Sequence, residues 1–212
     1  MEFEHLLELV GAEPVFESSL LLAGKVSPEN IRLQLTRWAK SGRIYQLRRG
    51  LYALAPPYQK VKPHPFVIAN HLQRASYVST HAALAYYGLI PETIHRTTSV
   101  TGGRPEHLEN RLGSFEFQHV KPELLRGYRM TDLRGQQALL ATPEKALLDL
   151  IYLQPGGDSS EYIHELRLQN LEQLEIETLR KLAASFDTPK MNRALENIIR
   201  LIESEAQGYE DL

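Results

Sequence analysis

The sequence predicts an α+β chain in two parts. A winged helix-turn-helix fills residues 1–57, a linker covers 58–64, and an α+β domain with a helical C-terminal subdomain runs over 65–212. Three observations predict this. A basic amphipathic helix leads into two short alternating segments joined at Arg48-Arg49-Gly50. Strand-like and helix-like runs then intersperse from Pro65 to Leu153. From Ser159 to Glu205 only helical spacing remains, with breaks near Asn170 and Asp187.

Each element has a local cause. Glu2 to Val10 and Val15 to Leu22 read as two short helices, with Gly11 and Gly24 near their ends. Ser27-Pro28-Glu29-Asn30 is a helix start: Ser27 is placed to cap free backbone N–H groups, Pro28 suits the first helical position, and Glu29 favours the positive end of the helix dipole. Ile31, Leu35, Trp38 and Ala39 make one apolar face. Asn30, Gln34, Arg37 and Ser41 fall on a different side, flanked by Arg32, Thr36 and Lys40. Gly42 stops the helix where a left-handed residue is needed. Arg43 to Leu47 and Leu51 to Leu54 alternate as strands, and Arg48-Arg49-Gly50 joins them as a hairpin. Pro56-Pro57, Pro63 and Pro65 surround a polar stretch, Tyr58 to Lys62, suited to a stiff linker.

The second part opens with helical material (Pro65 to Gln73), a strand (Tyr77 to Ser79) and another helix (Thr80 to Tyr87) stopped by Gly88. Strand-like runs follow at Thr97 to Thr101, Phe115 to Lys121, Tyr128 to Leu133 and Ala138 to Leu140. Thr142-Pro143-Glu144 starts a helix, with Thr142 as cap. That helix, Pro143 to Leu153, is apolar nearly all round, which implies burial. Asp149 inside it then needs a partner, and Lys145 lies one turn back.

Charge adds a functional expectation. Lys25, Arg32, Arg37, Lys40, Arg43, Arg48, Arg49, Lys60 and Lys62 fall between residues 25 and 62 against one acid, Glu29, although the whole chain sums to only -2. A cationic block on a helix and a following turn is an electrostatic footprint for phosphate. The predicted DNA-binding set is Asn30, Arg32, Gln34, Arg37, Lys40, Arg43, Arg48 and Arg49. Arg and Lys bind phosphate or guanine, Asn and Gln pair with adenine, and a basic hairpin tip follows backbone or minor groove. A solvated basic face, or a protein-interaction module of the same shape, is the plainer reading of this pattern. Trp38 and Tyr52 fit core positions.

Composition excludes other chemistry. With 42% apolar residues the chain has the make-up of a folded protein, and no apolar run approaches a membrane span. There are no cysteines, so disulfides, thiolate catalysis and cysteine zinc sites are ruled out. The first residues lack the layout of a signal peptide, and the expectation is a cytoplasmic protein with no membrane partner. Phosphate-cradling glycine loops, zinc-protease helices and nucleophile elbows are absent from the sequence. Glu144 and Lys145 are adjacent rather than spaced as nuclease carboxylate–lysine clusters require. The expectation is a non-enzyme without cofactor or metal.

Four stretches resemble a known family. They are Trp38 to Leu54 (with Arg48-Arg49-Gly50-Leu51-Tyr52), Ser76 to Pro91, Ala141 to Leu150 (with Thr142-Pro143-Glu144-Lys145) and Glu165 to Asn170. In this order they resemble AbiEi-type antitoxins of type IV toxin–antitoxin systems, of the abortive-infection class. The resemblance implies a repressor that binds inverted repeats in its own promoter. It also implies a C-terminal domain that counters a nucleotidyltransferase-like toxin without an obligatory stable complex. It matches Arg37, Lys40, Arg43, Arg48 and Arg49 to the DNA-binding helix and wing. Thr142, Glu144, Lys145 and Asp149 fall in the most recognisable block of the antitoxin domain, where a structural role explains them equally well. Two rivals stand beside this reading: a winged-helix regulator whose second domain senses a ligand or protein, and an enzyme such as a nuclease with an unrecognised site in residues 63–212.

Overall fold

The computed structural model describes residues 2–22 and 27–210, with side chains through Glu205; Gly24 and Lys25 lie outside the described residues. The first helix, α1 (Phe3–Val10), buries Phe3, Leu6 and Val10 on one stripe. The second predicted helix is not one. Val15 to Leu22 forms a two-residue strand, β1 (Phe16–Glu17), and a 3-10 turn, Ser18–Leu22. Phe16 and Glu17 instead pair antiparallel with Tyr52 and Leu51, and the ladder bonds gained there replace helical ones.

Helix α2 (Pro28–Lys40) has the predicted bounds, with Ile31, Leu35 and Trp38 inward. Its start differs in one respect. Ser27 holds the N-cap position, but its hydroxyl donates to the Glu29 carboxylate at 2.8 Å and caps no backbone N–H. The C-terminus closes on Gly42 at φ 74°, and the Arg43 N–H donates to the Trp38 carbonyl. Strands β2 (Ile44–Arg48) and β3 (Leu51–Leu54) form the predicted hairpin, with Gly50 at φ 84°. The three-stranded sheet runs β1-β3-β2.

All four residues of β3 are buried. Tyr52 and Leu54 join Phe3, Leu6, Phe16, Ile31, Leu35, Trp38 and Ile44 in a first core. Leu51 and Ala53, with Val15 and Leu47, join a second, larger core. Period-two alternation therefore feeds one strand into two cores at once. The 58–64 stretch is held along its length. Tyr58 packs edge-on to Phe3, Pro63 is buried, and the Gln136 side chain accepts from the His64 N–H and donates to the Lys62 carbonyl.

The larger core lies around a six-stranded mixed sheet. Its strands are β4 (Ser76–Val78), β5 (Arg96–Thr101), β6 (Glu106–Asn110), β7 (Gly113–His119), β8 (Tyr128–Asp132) and β9 (Gln137–Ala141), in the order β6-β7-β5-β4-β9-β8. Pairs β5–β7 and β4–β9 are parallel and the other three antiparallel. Strand β6 was not legible: Glu106–Asn110 is charged and lacks apolar alternation, as an edge strand tolerates. Helices α3 (Pro65–Leu72), α4 (Thr80–Tyr86) and α5 (Pro143–Leu153) pack with this sheet. Three more, α6 (Ser160–Glu165), α7 (Ile176–Ala184) and α8 (Pro189–Glu210), make the helical end, broken at Asn170 and Asp187, both at positive φ. The chain is mixed α+β, and among the described residues no helix is long and apolar enough to cross a membrane.

Candidate nucleic-acid interface

The surface of α2 follows from what it buries. The Trp38 ring packs edge-on to Phe3 at 5.4 Å, which fixes the rotation of the helix about its axis. Asn30, Arg32, Arg37 and Lys40 are then exposed and Gln34 is half-buried. At about 100° per residue, Arg32 stands some 140° round the axis from Arg37, so the cations of α2 occupy two flanks rather than one line. Among the described residues no carboxylate forms an ion pair with Arg32, Arg37, Lys40, Arg43, Arg48 or Arg49. The one acid of the helix, Glu29, is drawn to Ser27.

Arg43 and Arg48 depart from the expected row of free cations. The turn at Gly42 sets the Arg43 guanidinium over the Phe3 ring, 5.0 Å from its centroid, where it stays exposed. The sequence has Arg48 and Arg49 projecting together from the hairpin tip, and the structure separates them. Arg48 donates through Nη2 to the His71 carbonyl at the end of α3, at 3.3 Å. The cause is packing: Leu47 and Leu51 turn into the larger core, and a bulge between Gln46 and Arg48 bends the tip toward it. Asn110 reaches the same hairpin, donating to the Leu47 carbonyl at 3.5 Å. Arg49 remains exposed without a hydrogen-bond partner among the described residues. Nearby, burial pushes the His71 imidazole below its ordinary value, against the pull of Glu17 and Glu13.

The four candidates of the second part have internal partners. Thr142 accepts the Lys145 N–H at 3.3 Å and so caps α5 as predicted. Glu144, buried, accepts the Glu175 N–H at 3.2 Å, immediately before α7. Lys145 and Asp149, at 1% and 0% side-chain exposure, form the predicted ion pair. Asp149 also accepts from Ser79 Oγ at 2.8 Å and from Tyr77 Oη at 3.1 Å. The ammonium lies 4.8 Å from the Phe186 ring centroid. Burial pushes the Asp149 carboxyl up and the Lys145 ammonium down, each opposed by the other's charge.

Tyr77, Ser79 and Thr98 were not anticipated. They belong to this buried network, Thr98 Oγ1 donating to the Ser79 carbonyl, and their only sequence signal is hydroxyls inside strand-like runs. Leu33 was also passed over; its signal is being the one leucine of the helix off the inward stripe, and it is 50% exposed.

No family model matches the chain, and no curated protein matches it. Among solved structures it is similar to the RV2827C protein from Mycobacterium tuberculosis, at 15% identity and a TM-score of 0.54, over 92% of this chain and 76% of that one. At that identity the likeness shows a shared fold and nothing further.

Proposed function

We propose that residues 1–57 are a winged helix-turn-helix that binds duplex DNA through α2, and that the chain is an autorepressing antitoxin of the type IV class. The observation that carries the DNA reading is the set of exposed cations on α2 with no acid partner among the described residues. The order α1, β1, 3-10 turn, α2, hairpin supports the winged assignment. The four runs that resemble AbiEi-type antitoxins support operator inverted repeats and a nucleotidyltransferase-like toxin as partners. The reading gives the chain no catalytic step and no cofactor.

Arg37 and Lys40 carry the phosphate contacts in this reading, and Arg48 does not. Replacing both by Ala is expected to lower the slope of log affinity against log salt by about two on the DNA upstream of the gene. Arg48→Ala leaves that slope unchanged. Fluorescence anisotropy across a salt series checks both, and an unchanged slope in the double variant removes α2 from the mechanism. Antitoxin action is tested with the same full-length double variant, co-expressed with the neighbouring gene. Rescue of growth without promoter binding separates it from repression.

A second reading, a regulator that senses a small ligand, is favoured by one observation. A cleft of about 490 Å³ lies between the two parts, lined by Glu13, Val61, His71, Arg134 and Gln137. A metabolite that raises the melting temperature and releases DNA would select that reading.

A further inference from the structure

The exposed face of α2 carries one residue that charge does not explain, and its interpretation rests on the DNA-binding reading above. Leu33 is 50% exposed. At about 100° per residue it stands some 160° from Ile31 on one side and from Leu35 on the other, so it marks the apex of the helix. A single exposed leucine is ordinary by itself. The neighbours make this one informative.

Asn30, Leu33, Arg37 and Lys40 follow one another at spacings of three, four and three, which draws a nearly straight ridge about 15 Å long on the helix surface. Two of the side chains beside the ridge are occupied. Thr36 Oγ1 donates to the Arg32 carbonyl at 2.8 Å, and the Glu29 carboxylate is taken by Ser27. The ridge therefore offers, in order, a free amide, a branched apolar group, a guanidinium and an ammonium. An apolar protein partner would find one leucine between two uncompensated cations and an amide. The major groove of duplex DNA, about 12 Å wide, offers phosphates for the cations and, on its floor, base edges and the C5-methyl group of thymine.

We infer that Leu33 is a specificity-determining residue that reads thymine through its C5-methyl group, with Asn30 on a neighbouring adenine edge and Arg37 and Lys40 on the flanking phosphates. Deoxyuridine differs from thymidine only by that methyl, so it tests the contact without altering base pairing.

The full chain selects duplexes from a random pool, and the enriched site is resynthesised with deoxyuridine at each thymine in turn. One position is expected to weaken binding about fourfold, the loss of one buried methyl group. Leu33→Ala weakens the thymine duplex comparably and binds both forms alike, while Leu33→Met keeps the preference. Position 33 is exposed and Ala is the better helix former, so the Ala variant folds. Equal affinity for thymine and deoxyuridine at every position overturns the inference and leaves DNA binding intact, as does a preference that survives in Leu33→Ala. Failure to enrich any duplex removes the DNA reading itself and this inference with it.

Discussion

Asp149 has no exposed surface, yet it accepts from Tyr77, Ser79 and Lys145, which tie α5 to the strand β4 and the turn after it. Taking two charges out of water costs about as much as their attraction returns, so the pair secures geometry more than stability. Truncating one partner is different, because it strands the other charge. Asp149→Ala is expected to cost about 3–5 kcal/mol in urea unfolding. Lys145→Met combined with Asp149→Asn should recover more than half of that, since an amide oxygen still accepts from Tyr77 and Ser79. A double variant no more stable than Asp149→Ala would mean that the charges themselves hold the fold. Beside this network, Thr80 sits at φ 51°, a strained conformation for a branched residue, held by a 2.7 Å hydrogen bond from its hydroxyl to Thr98.

Elements were legible where local chemistry and tertiary packing agree. Helix α5 was predicted over its observed bounds because Thr142, Pro143 and an all-round apolar pattern point one way. Helix α2 and its hairpin were legible for the same reason, through Pro28, Gly42 and Gly50. Residues 15–22 were misread because three successive leucines fit a helix equally well, and pairing with β3, thirty-odd residues away, decided the matter. At the site, the exposure of Arg37 and Lys40 followed from the apolar stripe opposite them. The capture of Arg48 by His71 did not, since no local pattern announces where a hairpin tip docks. That docking is apolar in origin. Leu47→Ala is expected to destabilise by about 2–4 kcal/mol, and Arg48→Ala by less than about 1 kcal/mol, measured in the same unfolding assay. A larger loss for Arg48 would make the polar contact the anchor.

At the scale of the whole molecule, burial leaves a signature in pH. His64, His71 and His81 are each pushed below the ordinary imidazole value of 6.5, desolvation being the first cause in all three. His64 also accepts the Phe66 N–H through Nδ1, which requires the neutral ring. The unfolded chain thus binds protons that the folded one refuses. The stability these residues contribute is complete above 6.5 and declines as pH falls through 6.5 toward their folded values. A variant with His71→Gln and His81→Gln should show a flatter fall in melting temperature between pH 7 and pH 5 than the parent. Parallel curves would locate the acid sensitivity elsewhere. The carboxylates Glu17, Glu92 and Asp158, held low by Arg74, Arg167 and Arg193, act only in a more acidic window. The strand β3 is walled in on both sides, by Tyr52 and Leu54 on one and Leu51 and Ala53 on the other. No joint exists there about which α2 could swivel. If α2 binds DNA as proposed, whatever seats on the sheet would govern that binding by getting in the way of the double helix, as a bulky passenger does, and not by re-aiming the helix.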